Sequence, residues 1–418
     1  MKKIIILQNS VIFTLNIDKI YRPDVWELHL IVNQKSYDCL CDRNQQGLFA
    51  SIKITDDFCF ASLKDQVISF IKKSDENIVI ATNTEKLVSV AGQLRDYFHI
   101  PGLTFQEALL FTDKIAMKKH IEKFNVLTPK YCHFDRQKYF DKEKEYLESV
   151  CQQLFFPIIA KPIASAGSQG VCKIHNNYEL KRWADSNENI DFELDEYIEG
   201  TLYHCDSFVQ NGNILFTAIC RYSSPVHQFL EGYNLGSITF SNDDPCYQKL
   251  HEFNNYILRN ISTQFSGVTH LEVFEKADGQ LVFLEVANRC GGAGIPRMYN
   301  KHLRIDLFST HFLLQCDGCY QLNITPGTYA AWLQFAPSSN ITCLENLPSI
   351  ESQINLVSKN EKLNTQSNCF TLRDYSLLVV LHNNDIYQLE KDFYKLSKCS
   401  KQNSADPIGT FMIKDGIF

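Results

Sequence analysis

Two glutamates thirteen positions apart, Glu272 and Glu285, constrain this chain more than any other feature. Each stands in a short apolar, β-prone run (271–274 and 281–286), and Lys276-Ala-Asp-Gly279 between them carries turn residues. The unit reads as an antiparallel hairpin. Side chains alternate faces along a strand, so the pairing can set the two carboxylates side by side. Like charges at that distance repel unless a cation lies between them. A few carboxylate oxygens suit Mg²⁺ carrying substrate phosphates. Arg289 follows four residues past Glu285, and Gly291 and Gly292 then allow backbone to approach a ligand closely. Alone, the pair fits two solvated glutamates on a surface hairpin equally well, and residues upstream decide between the two.

The bulk properties narrow the field. A chain of 418 residues is expected to divide into roughly two to four domains or subdomains. Apolar content of 44% and charged content of 21% are ordinary for a soluble globular protein. A net charge of −7 without a long basic run argues against nucleic acid as a partner. Met1-Lys-Lys-Ile-Ile-Ile-Leu7 imitates a signal peptide until Gln8, Asn9 and Ser10 interrupt it, so a buried first strand is the better reading. No run approaches the roughly 18 apolar residues of a spanning helix, so no membrane association is expected. Fifteen cysteines, scattered and odd in number, fit reduced thiols and a cytoplasmic setting. Cys316-Asp-Gly-Cys319, with His311 nearby, is a lone C-x-x-C and is taken as ordinary thiols rather than a zinc site.

Strand-like segments at 4–7, 28–32 and 78–81 alternate with amphipathic helices at 65–73 and 85–98, which predicts βαβ units and a small parallel sheet. No G-x-G-x-x-G occurs there, so nothing marks a dinucleotide site. Helices are predicted over 104–111, 113–124, 177–185 and 247–265, with strands over 156–161, 171–174, 192–198, 202–210 and 214–222. Residues 223–245 lack periodicity and read as a long functional loop. The chain beyond 320 reads as mixed α and β. Ser165, Gly167, Ser168 and Gly170 form a small-residue loop between two strands, able to point backbone N–H groups and hydroxyls at phosphates. Lys161 sits at its mouth. A hairpin with small residues at its tip is the plainer account of the loop taken singly.

In order along the chain these pieces resemble the ATP-grasp superfamily over roughly residues 95–300. The resemblance rests on Pro101-Gly102 with Thr112-Asp113-Lys114 and Met117-Lys118, and on Pro157-Ile-Ile-Ala-Lys161-Pro162 with the 165–170 loop. It continues through Leu194-Asp-Glu196-Tyr-Ile-Glu-Gly200, Tyr203-His204-Cys-Asp206, His270-Leu-Glu272 and Glu285-Val-Ala-Asn-Arg289 with Gly291-Gly292. Within the superfamily the chain is most similar to the L-amino-acid ligases that make dipeptides. Ala287 stands where many relatives carry asparagine, with Asn288 shifted by one. Leu202 stands where many carry an acid that helps hold ribose.

The resemblance implies an α/β (α+β) ATP-grasp architecture: an N-terminal domain with a parallel sheet over 1–112, an ATP-grasp domain over 113–320 and a C-terminal subdomain over 321–418. Within the second, a mobile lid occupies about 128–195 and the metal and catalytic part about 196–320. ATP would be held by Lys114, Lys161, Ser165, Gly167, Ser168, Gly170, Asp195, Glu196, Ile198 and His204. Mg²⁺, with Mn²⁺ as a substitute, would be held by Glu272 and Glu285, and Arg289 would be catalytic. Glu231, Gly291 and Gly292 are candidate substrate residues, Glu231 together with Asp243 and Asp244 offering charge to a cationic first amino acid. The implied reaction activates one amino acid as an acyl phosphate and joins it to a second, giving ADP and phosphate. Ligation of an amino acid to another small acid or a peptide is the alternative, and an inactive ATP-binding regulator is the rival from another class. Partners are amino acids, with a homodimer as the assembly to look for. Lys161→Ala is expected to weaken ATP binding with the fold intact.

Overall fold

The computed structural model describes residues 1–10, 13–72, 77–165, 167–187, 190–241, 243–360 and 371–399. Among them three sheets organise the chain. The first joins β1 (Lys2–Gln8), β2 (Trp26–Val32), β3 (Ser51–Ile54) and β4 (Ile78–Thr82), in the order β3-β2-β1-β4 with every pairing parallel. The run Ile4-Ile-Ile-Leu7 is apolar throughout because both faces of this sheet are covered. Ile5 and Leu7 pack on Leu87, Ala91 and Leu94 of the helix Glu85–Phe98. Ile4 and Ile6 belong to the opposite cluster, which includes Phe312, Leu313 and Cys316 from the helix Leu307–Cys316.

The second sheet joins β5 (Tyr131–His133), β6 (Ile158–Pro162), β7 (Cys172–Ile174) and β8 (Phe192–Glu196) in the order β5-β8-β6-β7. Helices Arg136–Asp141, Glu143–Gln153 and Asn177–Ser186 supply its own core, in which Trp183 meets Phe134 and Phe192 edge-on.

The third and largest sheet takes β9 (Thr201–Gln210), β10 (Asn213–Tyr222), β11 (Leu235–Thr239), β12 (Gly267–Glu275), β13 (Leu281–Ala287), β14 (Tyr329–Phe335), β15 (Gln353–Lys359) and β16 (Leu377–Asn383). Its order is β13-β12-β9-β10-β11-β14-β16-β15, and all its pairings are antiparallel. Alternation splits its central strands between two cores: Tyr203, Cys205, Leu271 and Val273 face the helices Lys114–Ile121 and Pro245–Ile261, while Leu202, Phe208, Val268 and Phe274 face Ile295–His302.

The parallel sheet, the mixed α/β content and the glutamate hairpin match the expectations from sequence. Segment 223–245 differs. It holds a 3₁₀ turn, Val226–Glu231, and the buried strand β11, whose Ser237 and Thr239 hide its period because their hydroxyls are bonded inside the sheet. The helix expected over 247–265 spans Pro245–Ile261, capped by Asp244, and the one expected over 65–73 spans Phe60–Ile68. The helix Gln34–Asp42, strand β3 and the helical pair after β5 were not among the elements expected from sequence.

His311 ties the first sheet to the third. Its Nδ1 accepts from the Val268 amide at 2.8 Å and its Nε2 lies 2.9 Å from the Thr82 carbonyl, so the ring is neutral and both nitrogens are engaged. Burial pushes its pKa down to about 4, the two backbone bonds opposing. The folded chain therefore binds fewer protons than the unfolded chain as pH falls from about 6.5 through 4. Stability should be full above pH about 6.5 and decline by up to about 3 kcal/mol through this window. Urea unfolding of wild type and His311→Gln at pH 7.5 and 4.5 checks this, the difference between the two narrowing at the lower pH.

Candidate active site

The hairpin places its carboxylates through register. Glu272 in β12 lies opposite Glu285 in β13, and the next pair is Val273 with Phe283, so Leu284 is an extra residue in a bulge. The bulge turns two consecutive side chains, Leu284 and Glu285, toward one cleft, which alternation alone would forbid. Glu272 is nearly buried and accepts from the Tyr222 hydroxyl at 3.0 Å. Glu285 lies 3.4 Å from the Lys114 ammonium. Burial would raise its pKa, but Lys114, Lys161 and Arg289 hold it below the usual glutamate value. Glu285 is thus an anion at neutral pH.

Facing the hairpin is a buried cluster of four charges. Lys118 Nζ lies 2.8 Å from Glu193 and 2.6 Å from Asp195, and Lys161 Nζ lies 3.2 Å and 2.8 Å from the same two carboxylates. Lys114 and Lys118 are four apart on one helix and so share a face. Lys161 and the two acids come from the neighbouring strands β6 and β8, with Lys161 opposite Glu193 in register. Burial opposes ionisation of Asp195, yet both lysines keep its pKa below the usual range. Counting Lys114, Lys118 and Lys161 against Glu193, Asp195, Glu272 and Glu285 leaves an excess of one negative charge, and the oxygen donors of Glu272 and Glu285 suit a hard divalent cation such as Mg²⁺.

The cleft itself measures about 740 Å³ including its open mouth, within the range of small-ligand sites. Lys114, Lys161, Ser165, Gly167, Ser168, Asp195, Glu196, Ile198, Glu272 and Glu285 line it, so ten residues singled out from sequence converge. The described part of the 165–170 loop is bound back to the site, since Lys114 Nζ donates to the Ser165 carbonyl at 2.7 Å. Gly167, Ser168 and Gly170 adopt positive φ. Pairing of β6 with β8 ends at Glu196, and the backbone of Tyr197 and Ile198 runs on along the cleft wall. Leu202, Phe274, Leu284 and Val226 make an apolar slot beside it.

Other expected residues stand elsewhere. His204 is enclosed, with Nδ1 on Asp206 at 2.6 Å and Nε2 on Ser237 at 2.8 Å, which leaves it no atom for a nucleotide. Gly170 backs onto Pro162 rather than lining the cleft. Arg289 donates through Nε to Glu85, at the start of the helix Glu85–Phe98, at 2.6 Å and influences Glu285 from beside the cleft. Gly291 packs on His270 and Ile295, and Gly292 faces open space. Glu231 approaches His227 at 4.0 Å on the 3₁₀ turn, and Asp244 is spent capping a helix, so the acids of 223–245 do not converge as a group. Asn288 is buried beside Gly267 and is not among the cleft residues. Because Lys161 is locked to buried carboxylates, Lys161→Ala would disturb the fold as well as the cleft.

Sequence reasoning quoted Lys118 without giving it a role, and missed Glu193 and His227. The spacing of Lys118 from Lys114 was the available signal for one. Nothing local distinguishes Glu193 from a surface acid. His227 lines the cleft beside Tyr197, and burial, followed by the nearby Lys173 charge, pushes its pKa down to about 4.

The chain is similar to known proteins in sequence and in fold. A family model described as D-ala D-ala ligase C-terminus matches residues 121–303. An L-arginine-specific L-amino acid ligase of Bacillus subtilis is 27% identical over 277 residues, covering 63% of this chain and 63% of that protein. A D-alanine–D-alanine ligase of Natranaerobius thermophilus is 30% identical over 93 residues, covering 22% and 26%. The chain thus spans less than two thirds of the length of these curated relatives. Among solved structures, an L-amino acid ligase from Bacillus licheniformis superposes with a TM-score of 0.67 at 14% identity, over 96% of this chain and 99% of that one. A carboxyaminoimidazole ribonucleotide synthase from Aspergillus clavatus, complexed with ATP, gives 0.70 at 12% identity over 94% and 97%. These structural likenesses establish the shared fold.

The four-charge cluster yields a stability test. Lys118→Met keeps length but leaves Glu193 and Asp195 sharing one lysine, and breaking such a buried set typically costs about 3–5 kcal/mol. Denaturant unfolding should register a loss of that size. A loss under about 1 kcal/mol, the range of a solvated surface pair, would mean the carboxylates are reached by water.

Proposed function

We propose, from a chain that is ATP-grasp in fold and stands near the L-amino-acid ligases, that this protein is an ATP-dependent carboxylate–amine ligase joining two L-amino acids. The observation that carries the reading is the register pairing of Glu272 with Glu285 across a cleft from Lys114 and Lys161. Adenine would sit in the slot of Leu202, Phe274 and Leu284 against the Tyr197–Ile198 backbone. The phosphates would lie under the 165–170 loop, with Lys114 and Lys161 neutralising them. Bound between Glu272 and Glu285, Mg²⁺ would supply charge neutralisation at the phosphates.

The chemistry follows from these placements. A carboxylate resists attack by an amine because its carbon is electron-rich and its leaving group poor. Transfer of the γ-phosphoryl group converts it to an acyl phosphate, and a neutral amine then displaces phosphate. Phosphoryl transfer demands mainly positioning and charge neutralisation, which the lysines and Arg289 provide. The acyl phosphate must be kept from water, the task assigned to the loop and its sheet as a lid. The name of the Bacillus subtilis relative makes arginine a natural first amino acid to test.

Hydroxylamine supplied with ATP, Mg²⁺ and a single amino acid should trap a hydroxamate with stoichiometric ADP. AMP in place of ADP would indicate adenylation and sink the mechanism, and no hydroxamate from any amino acid would remove the dipeptide reading. Glu285→Gln should cut turnover by about 10²-fold or more, and near-wild-type rates at saturating Mg²⁺ would take Glu285 out of the site. Arg289→Ala should suppress trapping more than ATP binding.

A further inference from the structure

Directly beneath the carboxylate pair lies a buried polar network for which the proposed mechanism has no use. Asp206, fully enclosed, lies opposite His270 in register, as His204 lies opposite Glu272. The period of two puts all four on one face of β9 and β12. Asp206 Oδ1 is 2.7 Å from His270 Nδ1, its Oδ2 is 2.6 Å from His204 Nδ1, and Oδ2 also accepts from the Tyr299 hydroxyl. His204 is anchored in turn by Ser237, which takes the Trp332 indole N–H at 2.7 Å. This arrangement fixes the His270 ring. Its remaining nitrogen, Nε2, comes to 3.5 Å from Glu272 Oε1 and 3.4 Å from the Tyr222 hydroxyl, which itself donates to the same Oε1.

Two features give this network a purpose beyond filling space. Both contacts on Glu272 fall on Oε1, so Oε2 is the oxygen left for a ligand. Opposite His270 in β13 stands Ala287, which has no oxygen to offer, so Glu285 is the one carboxylate that β13 contributes to that face. On the hairpin, then, the orientation of Glu272 and Glu285 decides how the two could hold a cation. His204, Asp206 and His270 lie close enough to suggest a metal site of their own. Both Nδ1 atoms, however, are turned onto one carboxylate, and His204 Nε2 is taken by Ser237, so the donor atoms already serve one another.

We propose that Asp206 and His270 form a positioning couple that holds Glu272 in its cation-binding rotamer, with Tyr299 and His204 locking Asp206. The proposal rests on the reading of Glu272 as a Mg²⁺ ligand. Outer partners of ligating groups are typically worth about 10–100-fold in metal affinity.

The test measures binding of a non-hydrolysable ATP analogue to the full chain by calorimetry, across a Mg²⁺ titration and separately in EDTA. His270→Ala should raise the half-saturating Mg²⁺ concentration about 10-fold or more, leaving affinity in EDTA unchanged. His270→Gln, whose amide can donate to Oε1, should recover part of the loss, a pattern that a merely structural role would not produce. Should His270→Ala fail to fold, the isosteric Tyr299→Phe decides, with a smaller shift of the same sign. A wild-type Mg²⁺ requirement in the folded variants overturns the proposal. Transition metal that copurifies with the protein and is lost in His204→Ala would also overturn it, making the network a metal centre. Glu272→Gln separates the two levels. If it leaves the Mg²⁺ requirement unchanged, the functional reading fails; if it shifts the requirement while His270→Ala does not, only the positioning couple fails.

Discussion

Two carboxylates set opposite each other on adjacent strands repel, and the rest of this structure is arranged around that repulsion. Cross-strand like charges are destabilising in any sheet, and here Glu272 is nearly buried while Glu285 is partly so. The surroundings answer with donors and cations from separate parts of the chain: Tyr222 and His270 on Glu272, Lys114 beside Glu285, and Arg289 near both. None of these neutralises the pair outright, because Arg289 is bonded to Glu85 and the remaining lysines to Glu193 and Asp195. That residual negative charge supports the proposal that a divalent cation binds there.

That electrostatic arrangement also explains why three sheets must meet here. The hairpin belongs to the third sheet, Lys161 and its two acids to the second, and Glu85 to a helix packed on the first. Lys114 and Lys118 arrive on a helix that packs against β13 through Met117, whose sulfur lies 3.2 Å from the Val286 amide. The hairpin and the Lys114–Ile121 helix share one hydrophobic cluster, while the second sheet and the helix Glu85–Phe98 have clusters of their own, and their joint packing brings the charges within ion-pair distance. Lys161 stands on the sheet that has its own small core, around Trp183 and Phe134. The two acids outweigh the desolvation cost for Lys161, whereas burial lowers the pKa of Lys118 in spite of them.

Much of this was legible in the sequence because it is local. The glutamate hairpin, the small-residue loop after Lys161 and the apolar run at residues 4–7 each announce themselves through period and turn chemistry, which act between near neighbours. The helix carrying Lys114 was legible for the same reason, its Asp113 cap preceding an apolar-periodic run. Strand β11 was not, since burial on both faces of a sheet removes the alternation that marks a strand. Its Ser237 and Thr239 look like loop residues until their partners, His204 and Ala330, are brought from distant strands.

The sequence by itself determined which chemistry this chain can offer: two acids on a hairpin, lysines at a strand mouth and on a helix, and an arginine four residues past the second acid. Only the tertiary structure decided what each group faces. His204 lies within a quoted segment yet turns to Asp206, because strand register, not proximity in sequence, sets its neighbours. Lys118 and Glu193, 75 positions apart, form one buried pair because the helix Lys114–Ile121 and strand β8 come together in space. The bulge at Leu284 settles that Glu285 points into the cleft, through one extra residue in the ladder with β12. Local physics fixes donors and periods, and long-range packing fixes directions and partners, since only packing can hold like charges close and shut water out.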